Sequence, residues 1–193
     1  MPESCRKRPF LKCHTSRGAS SARGSVASCI DFAAGPIAPK SYRKNATAVN
    51  LIYLDSTYLV RLYFEEPGYE QVRRLAASDA VACAQHGRAE VISAFHRKLR
   101  ERAITAALYQ SALEQFFDEV RGGAFRWLPL SDVVFERIES VYAKLPATTF
   151  LRAADALHLS AAAENGFQEI CSNDAKVLVA ARHFGLTGVD VIR

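Results

Sequence analysis

Residues 51–64 read LIYLDSTYLVRLYF, and this stretch decides the fold. Its first four residues are apolar and predict a short buried strand that ends at Asp55. Residues 56–64 then carry their apolar side chains at helical spacing. The same order of a short apolar run and an amphipathic helix recurs to the end of the chain. The runs that predict strands are 51–54, 80–84, 124–130, 168–172 and 188–192.

Strands that alternate with helices in this way predict a parallel sheet covered on both faces. The predicted fold class is therefore α/β, a three-layer domain with a five-stranded parallel sheet flanked by helices. Glycine and proline mark most of the predicted helix ends: Pro67-Gly68, Gly122-Gly123, Pro146, Gly166 and Gly185.

Charge divides the chain into two parts. Residues 1–50 hold nine Lys or Arg and two Asp or Glu, whereas residues 51–193 hold 16 and 18. Residues 1–48 lack helical or strand periodicity, so we expect a basic, disordered extension, or a segment absent from the natural protein because its start is mis-assigned. We expect residues 49–193 to form the folded domain. Because this domain is slightly acidic, the basic pI does not predict a nucleic-acid-binding surface on it.

Cysteine usage and hydropathy indicate the compartment. The five cysteines show no C-x-x-C spacing, and Cys83 and Cys171 fall in apolar runs, so both are predicted to be buried free thiols. Free thiols favour a reducing, cytoplasmic location. No stretch approaches 18 uncharged apolar residues, so no membrane association is predicted.

Four acidic residues fall where a parallel sheet places its functional sites, beyond the carboxyl ends of its strands. Asp55 ends the first strand, and Asp174 follows the fourth by two residues. Glu90 and Asp155 lie in the first turns of predicted helices. Crowded carboxylates suit a hard cation such as Mg²⁺, and without metal we expect each to raise the pKa of the others.

Each acid also has a structural alternative. Acids in the first turn of a helix complement its dipole, which alone could explain Glu90 and Asp155. Asp174 could cap a turn, and spacing alone does not prove that the four side chains meet. The chain lacks a P-loop, G-x-G-x-x-G, G-x-S-x-G and H-E-x-x-H, so metal-assisted phosphodiester hydrolysis is the chemistry best supported by these residues.

The acidic motifs resemble those of PIN-domain ribonucleases, above all the toxin subunits of VapBC-type toxin–antitoxin pairs. LIYLDS at 51–56 is similar to the family's opening, and RAEV at 88–91 to its second motif. RAADALHL at 152–159 is the most specific string, and SND at 172–174 resembles the fourth motif. The resemblance covers about residues 51–192 and leaves out the extension.

This resemblance implies that Asp55, Glu90, Asp155 and Asp174 bind one or two Mg²⁺ ions, with Mn²⁺ as a possible substitute, and are the catalytic residues. Ser56 and Ser172 would support these ligands by hydrogen bonds, or else cap strand ends. The resemblance further implies endonucleolytic cleavage of RNA, a homodimer, and a cognate antitoxin protein of a type II pair that blocks the active-site groove.

Other polar residues and other functions receive weaker support. Arg88, Arg97 and Arg152 could contact phosphates or simply face solvent, Trp127 is predicted to be core, and packing is expected for His158. The main alternative function is a catalytically inactive PIN-like protein that binds RNA or an antitoxin. A receiver-like phosphoacceptor is disfavoured, because only Asp132 comes near its required acids.

Overall fold

The computed structural model describes residues 50–193. The predictions for residues 1–48 and for a domain start at residue 49 lie outside the described residues. In chain order the elements are β1 (Leu51–Tyr53), α1 (Ser56–Arg61), α2 (Tyr69–Ser78), β2 (Ala80–Ala84), α3 (Gly87–Arg100), α4 (Ala106–Arg121), β3 (Phe125–Leu128), α5 (Asp132–Tyr142), α6 (Ala153–Glu164), β4 (Glu169–Cys171), α7 (Ala175–Ala180), a 3₁₀ helix (Ala181–Phe184) and β5 (Thr187–Val189).

All strand pairings are parallel, which confirms the predicted α/β class. The strands form a three-stranded sheet in the order β1-β2-β3 and a two-stranded sheet of β4 and β5. One bridge, Leu54 to Cys171, joins the two sheets, and the Asp55 amide donates to the Cys171 carbonyl at 3.1 Å. The prediction of one continuous five-stranded sheet is therefore corrected, because β1 and β4 are each three residues long and meet only at their carboxyl ends.

Alternate residues of each strand pack into different cores. In β2, Val81 and Cys83 belong to a core with the side chains of α1 to α4, whereas Ala82 and Ala84 belong to a core with those of α5 to α7. This alternation follows from the two-residue period of a strand and gives the domain its three layers. Cys83 and Cys171 are buried free thiols, as predicted.

Several element ends differ from the prediction by a few residues, and two of them have clear local reasons. The last strand ends at Val189, because the Asp190 carboxylate accepts hydrogen bonds from the Tyr58 hydroxyl and the Ile192 amide, both at 2.9 Å, and turns the chain. The last helix tightens into the 3₁₀ helix after Ala180 and stops at Gly185, whose φ of 76° suits glycine.

α6 brings the most specific sequence motif to the centre of the domain. Its alanines at 156, 161 and 162 are fully buried, so the helix lies close against its neighbours, and its N-terminal turn carries Asp155 to the carboxyl ends of the strands. Across residues 50–193, no helix combines the length and hydropathy that a bilayer span requires.

Candidate active site

A cavity of about 690 Å³ opens at the carboxyl ends of the strands, and the four predicted acids all line it. Each arrives on a separate element. Asp55 caps α1 directly after β1, Glu90 lies in the first turn of α3, Asp155 in that of α6, and Asp174 caps α7 after β4. The topology thus brings together residues that are up to 119 positions apart.

Asp55 is the most enclosed of the four, with 3% of its surface exposed. Its Oδ1 accepts from the Tyr58 amide at 3.1 Å and lies 2.7 Å from the Thr57 hydroxyl, while the Ser172 hydroxyl donates to Oδ2. Burial raises the pKa of Asp55, and these hydrogen bonds oppose that rise only in part.

Arg152 holds Asp155 and Asp174 together. Its Nε donates to Asp155 Oδ2 at 2.8 Å, and its Nη2 lies 3.1 Å from Asp155 Oδ1 and 2.7 Å from Asp174 Oδ2. Ser172 links this pair to Asp55, since its Oγ also accepts from the Asp174 amide at 3.0 Å. We call Asp55, Asp155 and Asp174 the aspartate end of the cavity.

Glu90 is held by an imidazole instead. Its Oε2 lies 2.7 Å from His158 Nε2, and the other ring nitrogen of His158 lies 2.8 Å from the Tyr53 hydroxyl. Burial alone would raise the pKa of Glu90, but the hydrogen bond and charge of His158, with a hydrogen bond from Ser56, lower it to about 2. We call Glu90 and His158, together with His86, whose ring lies beside that of His158, the histidine end.

The pKa of His158 is raised, as expected for the partner of an ionised carboxylate. Burial opposes protonation of the ring, but interactions with Tyr53, Cys83 and Glu90 outweigh it and hold the pKa well above its usual value. The expectation that the acids raise one another's pKa is therefore wrong for Glu90. The reason is that the hydrogen bond and charge of His158, helped by Ser56, hold the Glu90 carboxylate in its ionised form.

Ser56 lines the cavity, whereas Ser172 is fully buried and reaches the site through its hydrogen bond to Asp55. Of the three arginines considered, Arg97 and Arg152 line the cavity, whereas Arg88 lies over the Trp127 ring at 5.9 Å. Trp127 packs beside Phe125 at the edge of the core formed with α1 to α4. Asp132 is exposed at the start of α5.

Sequence reasoning missed several residues that support the acids. His158 was expected to pack, yet it hydrogen-bonds Glu90; Thr57 and Asn173 were not considered, and their side-chain oxygens lie 2.9 Å apart. A signal for one missed contact was available. Arg152 stands three positions before Asp155, which is the spacing of neighbours on a helix surface.

The cavity offers the donor set of a hard cation. Five carboxylates, those of the four predicted acids and of Glu66, line it together with the Ser56 hydroxyl. Oxygen donors of this kind are the ligands that Mg²⁺ and Mn²⁺ prefer. In the structure, the Arg152 guanidinium lies against Asp155 and Asp174, as a bound cation would. The residues therefore fit a divalent metal, with arginine as the competing positive charge.

The sequence model of the PIN domain family matches residues 52–182, about two thirds of the chain. No curated protein sequence matches at a significant level. Among solved structures, a chain of VapBC2 from Rickettsia felis, determined bound to a DNA fragment from its promoter, is similar, with a TM-score of 0.52 and 15% identity. The similarity covers 73% of this chain and 98% of that one, and at this identity it supports the fold alone.

Proposed function

The chain belongs to the PIN domain family, and from this premise we propose that it is a Mg²⁺-dependent endoribonuclease, the toxin of a type II toxin–antitoxin pair. The observation that carries the proposal is the convergence of four carboxylates from four elements on one cavity. An acid that served only to complement a helix dipole would have no reason to face the other three.

Asp55, Glu90, Asp155 and Asp174 are the proposed metal ligands and catalytic residues. A bound Mg²⁺ supplies water activation and offsets the negative charge that develops on the phosphodiester. Ser172 fixes Asp55 by a direct hydrogen bond and contacts the Asp174 backbone, so it orients two ligands at once. Ser56 has the corresponding role toward Glu90.

Positive side chains at the cavity are suited to the RNA backbone. Arg97 lines the wall, is exposed, and forms no ion pair within residues 50–193. Arg152 is half exposed and can turn from Asp155 and Asp174 toward a phosphate once a metal ion neutralises these two acids. Contacts of this kind position the RNA without reading its sequence.

His158 is a positioning residue for Glu90. Its ring is buried between the Tyr53 hydroxyl and the Glu90 carboxylate, and the Ala84 amide donates to that hydroxyl at 3.0 Å. This chain of hydrogen bonds fixes the ring and keeps the Glu90 carboxylate at the cavity wall, ionised and oriented.

The proposed partners are a cognate antitoxin and a second copy of the chain, in the cytoplasm. The structural similarity to VapBC2 supports the antitoxin by analogy of fold. Support for a homodimer comes from α5, which exposes Val133, Phe135 and Tyr142 by 43–50% of their surface. Light scattering of the protein without antitoxin tests the dimer, and a monomer at tens of micromolar would contradict it.

Digestion of a circular RNA tests the enzymatic proposal. Only an endonuclease can open a circle, so the account expects linear products with Mg²⁺ or Mn²⁺, none with EDTA, and none from a circular DNA of the same sequence. An intact RNA circle, together with RNA binding in a gel-shift assay, would instead favour the catalytically inactive RNA-binding alternative.

A further inference from the structure

The histidine end contains a second set of metal donors. His86 precedes α3 as its cap residue, Glu90 lies one turn along that helix, and His158 faces both from α6. One ligand atom from each of the three residues lies within 4.8 Å of the other two. The rings of His86 and His158 are stacked at a tilt, with centroids 4.2 Å apart.

The hydrogen bonds of both imidazoles resemble those of metal-ligating histidines. Such a ring usually donates one N–H to a protein oxygen, which leaves the other nitrogen for the metal. The Nε2 of His86 lies 3.2 Å from the Ala154 carbonyl, so it carries the proton, and Nδ1 is buried without a hydrogen-bond partner in the described part of the chain. Tyr53 takes the corresponding place at His158 Nδ1.

Gly87 allows this close approach. A Cβ atom at position 87 would lie 2.6 Å from Cys83 Sγ and 3.3 Å from His158 Cε1. A side chain there would have to displace Cys83 and press on the His158 ring. Glycine therefore lets the start of α3 lie close to both residues.

We propose that His86, Glu90 and His158 form a binding site for a zinc-class transition metal, adjacent to the Mg²⁺ centre and chemically distinct from it. Two imidazoles and a carboxylate are a donor set that Zn²⁺ accepts readily, whereas Mg²⁺ favours oxygen ligands alone. Four-coordinate zinc needs its donor atoms about 3.4 Å apart, given bonds of about 2.0–2.1 Å. Small side-chain rotations bring the three donors to that spacing.

The two centres share Glu90, so binding at the histidine end should affect catalysis. This consequence rests on the proposed function. A zinc-class ion that holds Glu90 removes one of four ligands from the Mg²⁺ centre. Occupation of the histidine end therefore inhibits Mg²⁺-dependent cleavage of RNA.

Co²⁺ substitution tests the site directly, because this ion accepts the same donors and its visible absorption bands are intense only at low coordination number. The wild type is compared with His86→Gln and with His96→Gln, a matched control at an exposed position of the same helix. We expect intense cobalt absorption bands in the wild type and in His96→Gln. In His86→Gln, we expect the affinity for Co²⁺ to be more than about tenfold lower than in the wild type. His86→Phe, which keeps a stacked ring without nitrogen, is a second variant should glutamine disturb folding.

Two results would overturn the site: only weak, six-coordinate absorption in the wild type, or equal spectra in the wild type and both His86 variants.

Competition between Zn²⁺ and the Mg²⁺ centre is measured separately, as Mn²⁺ affinity by electron paramagnetic resonance and as RNA cleavage, each with and without Zn²⁺. We expect Zn²⁺ to lower both in the wild type and in His96→Gln but not in His86→Gln. Stimulation, or equal inhibition of all three proteins, would contradict the shared-ligand mechanism. Absence of cleavage with Mg²⁺ alone would count against the proposed function, while cobalt and manganese binding still decide this inference.

Discussion

The aspartate end and the histidine end of the cavity hold their carboxylates by different means. Asp55, Asp155 and Asp174 are tied together by Ser172 and Arg152, whereas Glu90 is tied to the buried His158. Arg152 lies at the surface with half of its side chain exposed, so a cation or a phosphate can displace it. His158 is 4% exposed and cannot leave. The aspartate end is therefore suited to exchange of positive charge, and the histidine end to fixed orientation of its carboxylate.

The sharpest expected difference between the two ends is in their pH dependence without metal. The pKa of Glu90 is lowered to about 2, so its contribution to stability is complete above the unfolded value near 4.5 and disappears as pH falls from there toward 2. Glu90→Gln should therefore lower the free energy of unfolding by about 2–3 kcal/mol at pH 6, and by progressively less toward acid pH.

Asp55→Asn should show the opposite trend. Burial raises the pKa of Asp55, so its ionisation reduces the stability of the wild type as pH rises above about 3.8. The stability of the variant relative to wild type should thus increase with pH, whereas that of Glu90→Gln should decrease. Urea unfolding in EDTA between pH 3 and 7 checks both, and parallel trends for the two variants would remove the distinction between the ends.

Removal of the two serine hydroxyls should have a smaller and unequal effect. Ser172→Ala leaves Asp55 Oδ2 and the Asp174 amide without their partner in a buried place, and should lower the free energy of unfolding by about 1–2 kcal/mol. Ser56→Ala, at a more open position, should lower it by about 0.5 kcal/mol. Equal losses in urea unfolding at pH 7 would contradict the tighter hydrogen bonding assigned to the aspartate end.

A small change in stability is also expected for Arg152→Gln. Exposed ion pairs contribute little, so the metal-free protein should lose at most about 1 kcal/mol. Its Mn²⁺ affinity should nevertheless rise, because the competing positive charge is gone. Arg121→Gln removes a comparable surface pair with Asp118 and is the control. An unchanged or lower Mn²⁺ affinity in Arg152→Gln would mean that the guanidinium does not compete with metal.

Sequence pattern predicted those parts of the molecule that depend on local periodicity. The alternation of apolar runs and helices predicted the α/β class and the order of its elements, and the position of each acid after a strand or in a first helical turn followed directly. The joining of the two sheets by a single bridge at Leu54 and Cys171 was not predictable, because it depends on how two three-residue strands approach in space.

The partners of the acids were the harder part of the site. Nothing in the spacing of Glu90 indicates that a histidine 68 residues away lies 2.7 Å from it, or that Arg152 contacts Asp174 as well as its helical neighbour Asp155. The contact with His158 reversed the expected direction of the Glu90 pKa. Because Arg152 keeps Asp174 as a partner in Asp155→Asn, the metal-free variant should lose at most about 1 kcal/mol of its free energy of unfolding.

The most direct test of the account is the rate of RNA cleavage by Asp155→Asn, compared with wild type and with Asp132→Asn, an acid-to-amide change at an exposed first helical turn. All three proteins are assayed in single turnover with Mg²⁺, and their urea unfolding is measured in parallel. The account predicts that Asp132→Asn cuts like wild type and that Asp155→Asn, although folded, is slower by more than about 100-fold. Cleavage by Asp155→Asn at the wild-type rate would show that the four carboxylates do not form the catalytic metal site.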